Sequence, residues 1–226
     1  MKRLLLSVLW LLAPATWAQA DAGTARPVVS VLYFEIDDRL GELTIFRKGL
    51  AEMLITDLVE SRQLSVVERS RLEEVLKEQK LQGTKAFDQS TAVKLGQLLG
   101  AHYQVTGTIL PHVKGKLLID ARVISVLEAR VIASARAVVV DDDVLAGEQE
   151  LVAKLLKGLT DPTRLSLTPP PKRAYKLPLE TAVKYAQALD AKDTKQPDKQ
   201  RVLLNEVLKA QPDFILARVD LAALAK

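Results

Sequence analysis

Cysteine is absent from this 226-residue chain. No disulfide can form, so the fold must be held by its packed core alone. Aromatic residues make up only 4% of the sequence, too few to suggest the stacking platforms on which bases or sugars are bound. Histidine is nearly missing as well: His102 and His112 are the only two, and neither has a carboxylate or a second histidine at ligand spacing. A metal site or a catalytic triad needs several convergent groups, so both read as surface or core-edge residues. Gly96, Gly100 and Gly107 are scattered and form no phosphate-binding loop. Ser70 has no nucleophile-elbow setting and reads as a helix cap. Asp141, Asp142 and Asp143 lack further oxygen ligands at calcium-loop spacing and read as a helix start. On these grounds no catalytic, cofactor-binding or metal-ligating residue is assigned, no cofactor is expected, and the chain is not read as an enzyme.

The long apolar run that is present lies at the N-terminus. Lys2 and Arg3 precede Leu4 to Leu12, followed by Pro14 and the small residues ending at Ala18-Gln19-Ala20. This order is that of a secretory signal peptide over residues 1–20, with Ala18 and Ala20 as the signal-peptidase recognition residues and the cut after Ala20. A membrane anchor is the alternative, but the run is far short of the roughly 20 residues that cross a bilayer, and proline interrupts it. Asp21 stands where bacterial lipoproteins carry their acylated cysteine. The mature chain is therefore expected to be exported, soluble and periplasmic, with no membrane span and at most an association with the outer membrane. Cleavage removes two of the 32 basic residues, leaving 30 against 28 acidic ones and lowering the formal charge from +4 to +2. That is no nucleic-acid signature.

Beyond Ala20 the chain is regularly patterned. Val28 to Phe34 is a nearly continuous apolar run, as expected of a strand covered on both sides. In FRKGLAEMLITDLVES, Leu50, Met53, Leu54, Leu58 and Val59 share one face of a 3.6-residue period, and Glu52, Asp57 and Glu60 occupy the other. That spacing predicts an amphipathic helix with one solvated side. Leu64 to Val67 repeats the strand in miniature, and Ser70 sits three residues ahead of Glu73, the spacing of a capping box at the start of a second helix. A third helix begins at Asp88 and Ser90 and has Gly100 as its stop. His102 to Leu110 reads as a strand. Leu117 to Val126 alternates with Leu117, Ile119, Ala121 and Val123 on one side, and Val131 to Val140 sets Val131, Ala133, Ala135 and Ala137 against Ile132, Ser134 and Arg136. Short turns around Gly115 and Ala129 make these three strands an antiparallel meander. Asp141 to Asp143 then open a helix to about Leu159, where carboxylates suit the positive end of the helix dipole.

Residues 160–178 hold Pro162, Pro169, Pro170, Pro171 and Pro178, with Lys172, Arg173 and Lys176 among them. This predicts an extended, semi-rigid, solvated linker. Leu179 to Ala191, Asp198 to Ala210 and Phe214 to Ala225 read as three helices of a segment spanning residues 179–226. The fold class is thus α/β: a mixed sheet in β-α-β-α-α-β-β-β-α order over residues 28–159, followed by a small all-α helical-repeat segment.

Two resemblances arise from these residues. Tyr185, Ala186 and Leu189, with the run VLKAQPDFILA from Val207 to Ala217, resemble a tetratricopeptide-type join between helical repeats. An ordinary helical hairpin is the alternative. About one and a half units are present where roughly three usually stand alone, so the segment is expected to lean on the first domain, another copy or a partner. The blocks GLAEMLITDLVES, SVVERSRLEEVLKEQ, LGQLLGAHYQVTGTI and ARVISVLEARVIASA, in that order, resemble the curli secretion-channel (CsgG-like) family. Its layout is shared by the amino-terminal domain of TolB, by related envelope lipoproteins and by flagellar outer-ring proteins.

The CsgG-like resemblance runs from about Val28 to Leu159 and implies a CsgG-like, TolB-like α/β domain. Such domains serve secretion pores, enzyme activators and assembly scaffolds. The pore-forming members insert two long membrane hairpins among the antiparallel strands, each strand about 9 to 11 residues long with alternating polarity. Here the corresponding connections are the short turns around Gly115 and Ala129. The resemblance therefore implies a non-catalytic periplasmic adaptor in outer-membrane-linked secretion or in assembly of surface or envelope structures, without the pore. Its partners would be envelope or outer-membrane proteins or, in a homo-oligomer, further copies of itself. The alternative is a periplasmic regulator that binds and activates a cell-wall synthase.

Overall fold

A computed structural model of the chain describes residues 26–81, 87–160 and 167–225. The signal-peptide reading, with Ala18 and Ala20, and residues 161–166 of the linker lie outside these. Six strands form one mixed sheet: β1 (Val28–Val31), β2 (Glu35–Ile36), β3 (Ser65–Val66), β4 (Tyr103–Pro111), β5 (Leu117–Ser125) and β6 (Arg130–Val139). The order across the sheet is β3-β1-β4-β5-β6, with β2 also paired to β4. β1 runs parallel to β3 and β4, and β4, β5 and β6 form the antiparallel meander. The helices are α1 (Phe46–Glu60), α2 (Arg69–Glu78), α3 (Gln89–Leu98) and α4 (Val144–Leu159), then α5 (Leu179–Asp193), α6 (Pro197–Ala210) and α7 (Ile215–Ala223). This is the expected order with β2 added. The run that reads as one strand is interrupted because Leu32, Tyr33 and Phe34 leave the ladder while remaining buried.

Alternation along the meander decides what each face receives. Val105, Ile109, Ile119, Ala121, Val123, Ala135, Ala137 and Val139 are buried, and α4 lies against their side of β6. Small residues allow the approach: a Cβ on Gly147 would fall 2.7 Å from Val139 Cγ2, and one on Gly158 2.6 Å from Ala133 Cβ. On the opposite face α3 covers the end near Gln104, where Ser30 Oγ donates to Gln104 Oε1 at 2.6 Å and satisfies a buried amide. The rest of that face is mixed, with Arg122, Ser134 and Arg136 exposed and Val138 as an exposed apolar side chain beside them. Simple alternation puts Val131 beside Ala133, but the register shifts between Val123 and Ile124. Ile132 is the extra residue of that bulge, and Val131 is turned out to solvent.

Two readings of the first half need correction. Helix α1 packs against α2, α4 and α5 as well as β1 and β3, so it has no single wet side. Asp57, assigned to a solvated face, is 0% exposed, whereas Val59, assigned to the packed face, is 50% exposed. The Ser70–Glu73 capping box is also absent. α2 starts at Arg69 with Glu68 at the N-cap position and no side-chain cap, because Glu73 is drawn inward to Tyr33, whose hydroxyl donates to it at 2.5 Å. The other starts and stops are as read: Asp88 accepts from Thr91 N at 2.7 Å, Asp143 accepts from Ala146 N at 3.3 Å, and Gly100 closes α3 with φ +66°.

The C-terminal helices are docked on the sheet domain. A Cβ on Gly49 of α1 would fall 3.1 Å from Ala186 Cβ and 3.2 Å from Ala182 O, so α5 lies close along α1. Residues 167–178 contain neither helix nor strand and are mostly exposed, but the segment is anchored at its ends: Leu167 and Leu177 are buried, and Leu177 O accepts from Val144 N at 2.8 Å. One hydrophobic cluster therefore runs from Val29 through Leu177 to Ala217.

Gly107 is the tightest point of the sheet, since a Cβ there would sit 2.1 Å from Asp120 O and 2.6 Å from Phe34 Cε2. Gly107→Ala is expected to cost about 1–3 kcal/mol through overpacking. The check is the urea midpoint, which should fall with an unchanged slope; an unaltered midpoint would show that β4 and β5 can separate freely at this position.

Candidate functional site

A cleft of about 810 Å3 opens between α1, α2 and the end of α5. Its charged floor is assembled from turns of helix. Lys48 and Glu52 lie one turn apart on α1, Arg69 and Glu73 one turn apart on α2, and Asp190 and Asp193 in the last turn of α5. Tyr33 enters from the buried loop after β1. Arg69 stands at the centre, its side chain 4% exposed.

Each donor of this centre is answered. Arg69 holds Asp193 in bidentate fashion, Nη1 to Oδ2 at 2.7 Å and Nη2 to Oδ1 at 2.9 Å. Its Nε donates to Glu52 Oε2 at 2.9 Å, and Nη1 also reaches Tyr33 Oη at 3.1 Å. Two parallel N–H···O bonds to one carboxylate are the strong, orientation-fixing form of this pair. Lys48 Nζ donates to Asp190 at 2.9 Å and to Asp193 at 2.8 Å, with Glu73 at 3.3 Å. The Arg47 guanidinium lies 5.7 Å from the Tyr33 ring centroid, a cation–π contact.

Burial and pairing pull the protonation of these groups in different directions. Burial pushes the Tyr33 hydroxyl well above its ordinary value, outweighing the Arg69 charge beside it, so the phenol is a neutral donor to Glu73. Burial also raises the Glu52 carboxyl in spite of Arg69. Burial alone would raise Asp193, but hydrogen bonds from Arg69 and Lys48 overcome it and hold that carboxyl below its ordinary value of 3.8. Arg69 loses hydration on burial, yet Asp193 and Tyr33 more than restore its preference for the proton. The cluster joins three helices and a loop through ion pairs in which four carboxylates share two cations.

The sequence-singled residues lie elsewhere, with Ser70 on the cleft rim as the exception. His102 Nδ1 accepts from Val28 N at 2.9 Å and ties β1 to the start of β4. His112 precedes the 3-10 turn Val113–Gly115. Asp142 pairs with Lys176 at 3.2 Å. Among the described residues no group of three or more histidines, aspartates and glutamates is placed to hold a metal ion, and no helix is long and apolar enough to cross a membrane. Reading the sequence missed the cleft because its partners lie far apart: Arg69 meets Asp193 across 124 positions and Lys48 meets it across 145. Only the one-turn Arg69–Glu73 spacing, at 3.6 Å, is a local signal.

Residues 16–114 match the family model described as curli production assembly/transport component CsgG. This stretch is similar to that family. It contains Tyr33, Lys48, Glu52, Arg69 and Glu73 of the cleft, whereas Asp190 and Asp193 lie beyond it. No curated protein matches the chain. Among solved structures, the chain is similar to the LpoB C-terminal domain from Escherichia coli, with 17% identity, 54% of this chain and 87% of that one covered, and a TM-score of 0.37. It is similar to TolB from Acinetobacter baumannii, with 16% identity, 59% and 28% covered, and a TM-score of 0.41. It is also similar to the PelC dodecamer from Paraburkholderia phytofirmans, with 14% identity, 59% and 86% covered, and a TM-score of 0.33.

Two outcomes are expected from the cluster joining the CsgG-like stretch to α5. Arg69→Met strands buried carboxylates without their cation and should cost about 3 kcal/mol. Asp193→Asn should cost less, and the double variant less than the sum, as measured in a double-mutant cycle by urea unfolding. Because the folded Asp193 carboxyl is lowered, its contribution is fully present above pH 3.8 and is lost as pH falls through the lower folded value. Asp193→Asn should therefore flatten the acid limb of the stability curve; an unchanged limb would assign it to other carboxylates.

Proposed function

We propose that this chain is a non-catalytic periplasmic adaptor in outer-membrane-linked secretion or in assembly of surface or envelope structures. The observation that carries this reading is the match of residues 16–114 to the curli production assembly/transport family. The chemistry of this cleft supports it: Arg69 and Lys48 are engaged by four carboxylates in ion pairs that hold helices together. The connections of the meander support the reading without a pore. β4 passes to β5 through the turn at Val113–Gly115, and β5 passes to β6 across residues 126–129, where Ala129 adopts φ +51°. Its contacts would be made by surfaces with envelope or outer-membrane proteins, or with further copies of the chain.

Cross-linking in intact cells, followed by identification of the captured proteins and by sedimentation of the purified mature chain, tests this. Capture of outer-membrane secretion or assembly components, or sedimentation as a defined ring of copies, is the expected result. Capture of a cell-wall synthase by a monomeric chain would replace the reading with that of a synthase regulator. A hydrolytic or transfer activity abolished by one point substitution would overturn the adaptor altogether.

A further inference from the structure

The segment that leads from α4 to α5 has a regularity that connecting two helices does not require. Thr168, Pro169 and Pro170 each precede a proline, and a residue in that position is kept out of the helical region, in extended backbone. Each of the three prolines also fixes its own φ at about −65°. The run is therefore a left-handed polyproline helix, with three residues per turn.

Burial follows that period. Leu167 is buried, Pro170 and Arg173 are half-buried, and Thr168, Pro169, Pro171, Lys172 and Ala174 are exposed. One edge of the polyproline helix, made of Leu167, Pro170 and Arg173, lies on the protein. Its other two edges face outward, one made of Thr168, Pro171 and Ala174 and the other of Pro169 and Lys172.

The inward edge is fastened at both ends. Leu167 joins the hydrophobic cluster, and beside it Thr168 N donates to Gln63 Oε1 at 2.9 Å. Arg173 brings Nη2 to 2.5 Å from Oδ1 of the buried Asp57 and 3.2 Å from Glu60 Oε1, and its backbone N–H donates to Gln149 Oε1 at 3.3 Å. On the outward side Lys172 has no ion-pair partner among the described residues. The ridge is thus held in one conformation and left uncovered.

Its chemistry selects what can cover it. Proline nitrogens carry no hydrogen, so Pro169 to Pro171 present apolar rings and carbonyl acceptors and no backbone donor. A matching surface has flat apolar walls with N–H or O–H donors at their edges, which tryptophan and tyrosine supply, and an acidic side chain beside them for Lys172. A second copy of this chain does not offer that surface, because every tyrosine and phenylalanine among the described residues is buried or half-buried.

We propose that residues 168–174 are a docking ligand, a polyproline ridge presented to an aromatic-lined, acid-flanked groove on another protein. The proposal rests on the adaptor reading and adds to it the kind of partner and the place of contact. Because Leu167 and Arg173 fix the ridge beforehand, little ordering is lost on binding.

The test places a photo-cross-linker singly at Pro170, Pro171 or Lys172 of the full chain in intact cells and maps the linked residues by mass spectrometry. Pro171 and Lys172 should link to one protein, at or beside aromatic residues, and the inward Pro170 should not. Affinity of the mature chain for that purified protein is then measured. Pro169→Ala combined with Pro171→Ala, and separately Lys172→Glu, should each weaken binding about tenfold, with Lys199→Glu on α6 leaving it unchanged. A synthetic peptide of residues 167–174, which lacks the two anchors, should compete about tenfold more weakly than the chain binds. Outward positions that link to nothing, to lipid, or to a protein whose affinity ignores these substitutions overturn the proposal. Capture of envelope proteins through other surfaces alone overturns the docking ligand and leaves the adaptor reading standing.

Discussion

Burial of α1 on several sides is the constraint that governs the rest of the arrangement. A helix covered by α2, α4 and α5 and by β1 and β3 takes several of its ionic residues out of water. A buried charge is tolerated only when paired. Lys48 and Glu52 find Asp193, Asp190 and Arg69, and Asp57 finds Arg173. Most of these partners come from the C-terminal third of the chain. The charges of one helix thereby dictate that residues 167–193 fold back over the CsgG-like stretch.

The same folding back holds the three C-terminal helices against the sheet domain. Tyr185 and Phe214 stack edge-on with centroids 5.0 Å apart, and Tyr185 Oη donates to Asp220 at 2.9 Å, so α5, α6 and α7 have their own small centre. That centre is continuous with the main cluster through Leu177 and Ala182. A short helical array needs neighbours on which to stack, and α1 provides the first of them, with Gly49 allowing the backbones to approach.

The elements of the sheet domain were legible in the sequence because each depends on local periodicity. Alternation at Leu117, Ile119, Ala121 and Val123 marks a strand whatever else is present, and Asp88, Gly100 and Asp143 mark helix ends by their own backbone preferences. The bulge at Ile132 was not legible, since a register shift depends on the partner strand. The candidate site was almost entirely illegible for the same reason. A carboxylate such as Asp57 or Glu148, lodged among leucines and valines, looks like the wet side of an amphipathic helix until the helix packed over it is known. Arg173 among prolines looks like a solvated linker charge for the same reason, although its side chain is only 13% exposed.

For an adaptor, the arrangement of these charges has a direct consequence. Strand addition at the β6 edge is disfavoured where Lys154 Nζ donates to the carbonyl of Arg136 at 2.6 Å, because a lysine there occupies an edge acceptor. Under the proposed adaptor function, side-chain surfaces would carry recognition, and their value depends on being held still. Binding loses free energy for every segment that must be ordered on contact. The Arg69 cluster and the Asp57–Arg173 pair tie α1, α2, α5 and the segment before α5 together before any partner arrives. A partner touching both the CsgG-like stretch and the C-terminal helices would meet one preformed surface. Loosening residues 167–179 would split that surface in two and weaken every contact that spans it, without altering a single contacting side chain.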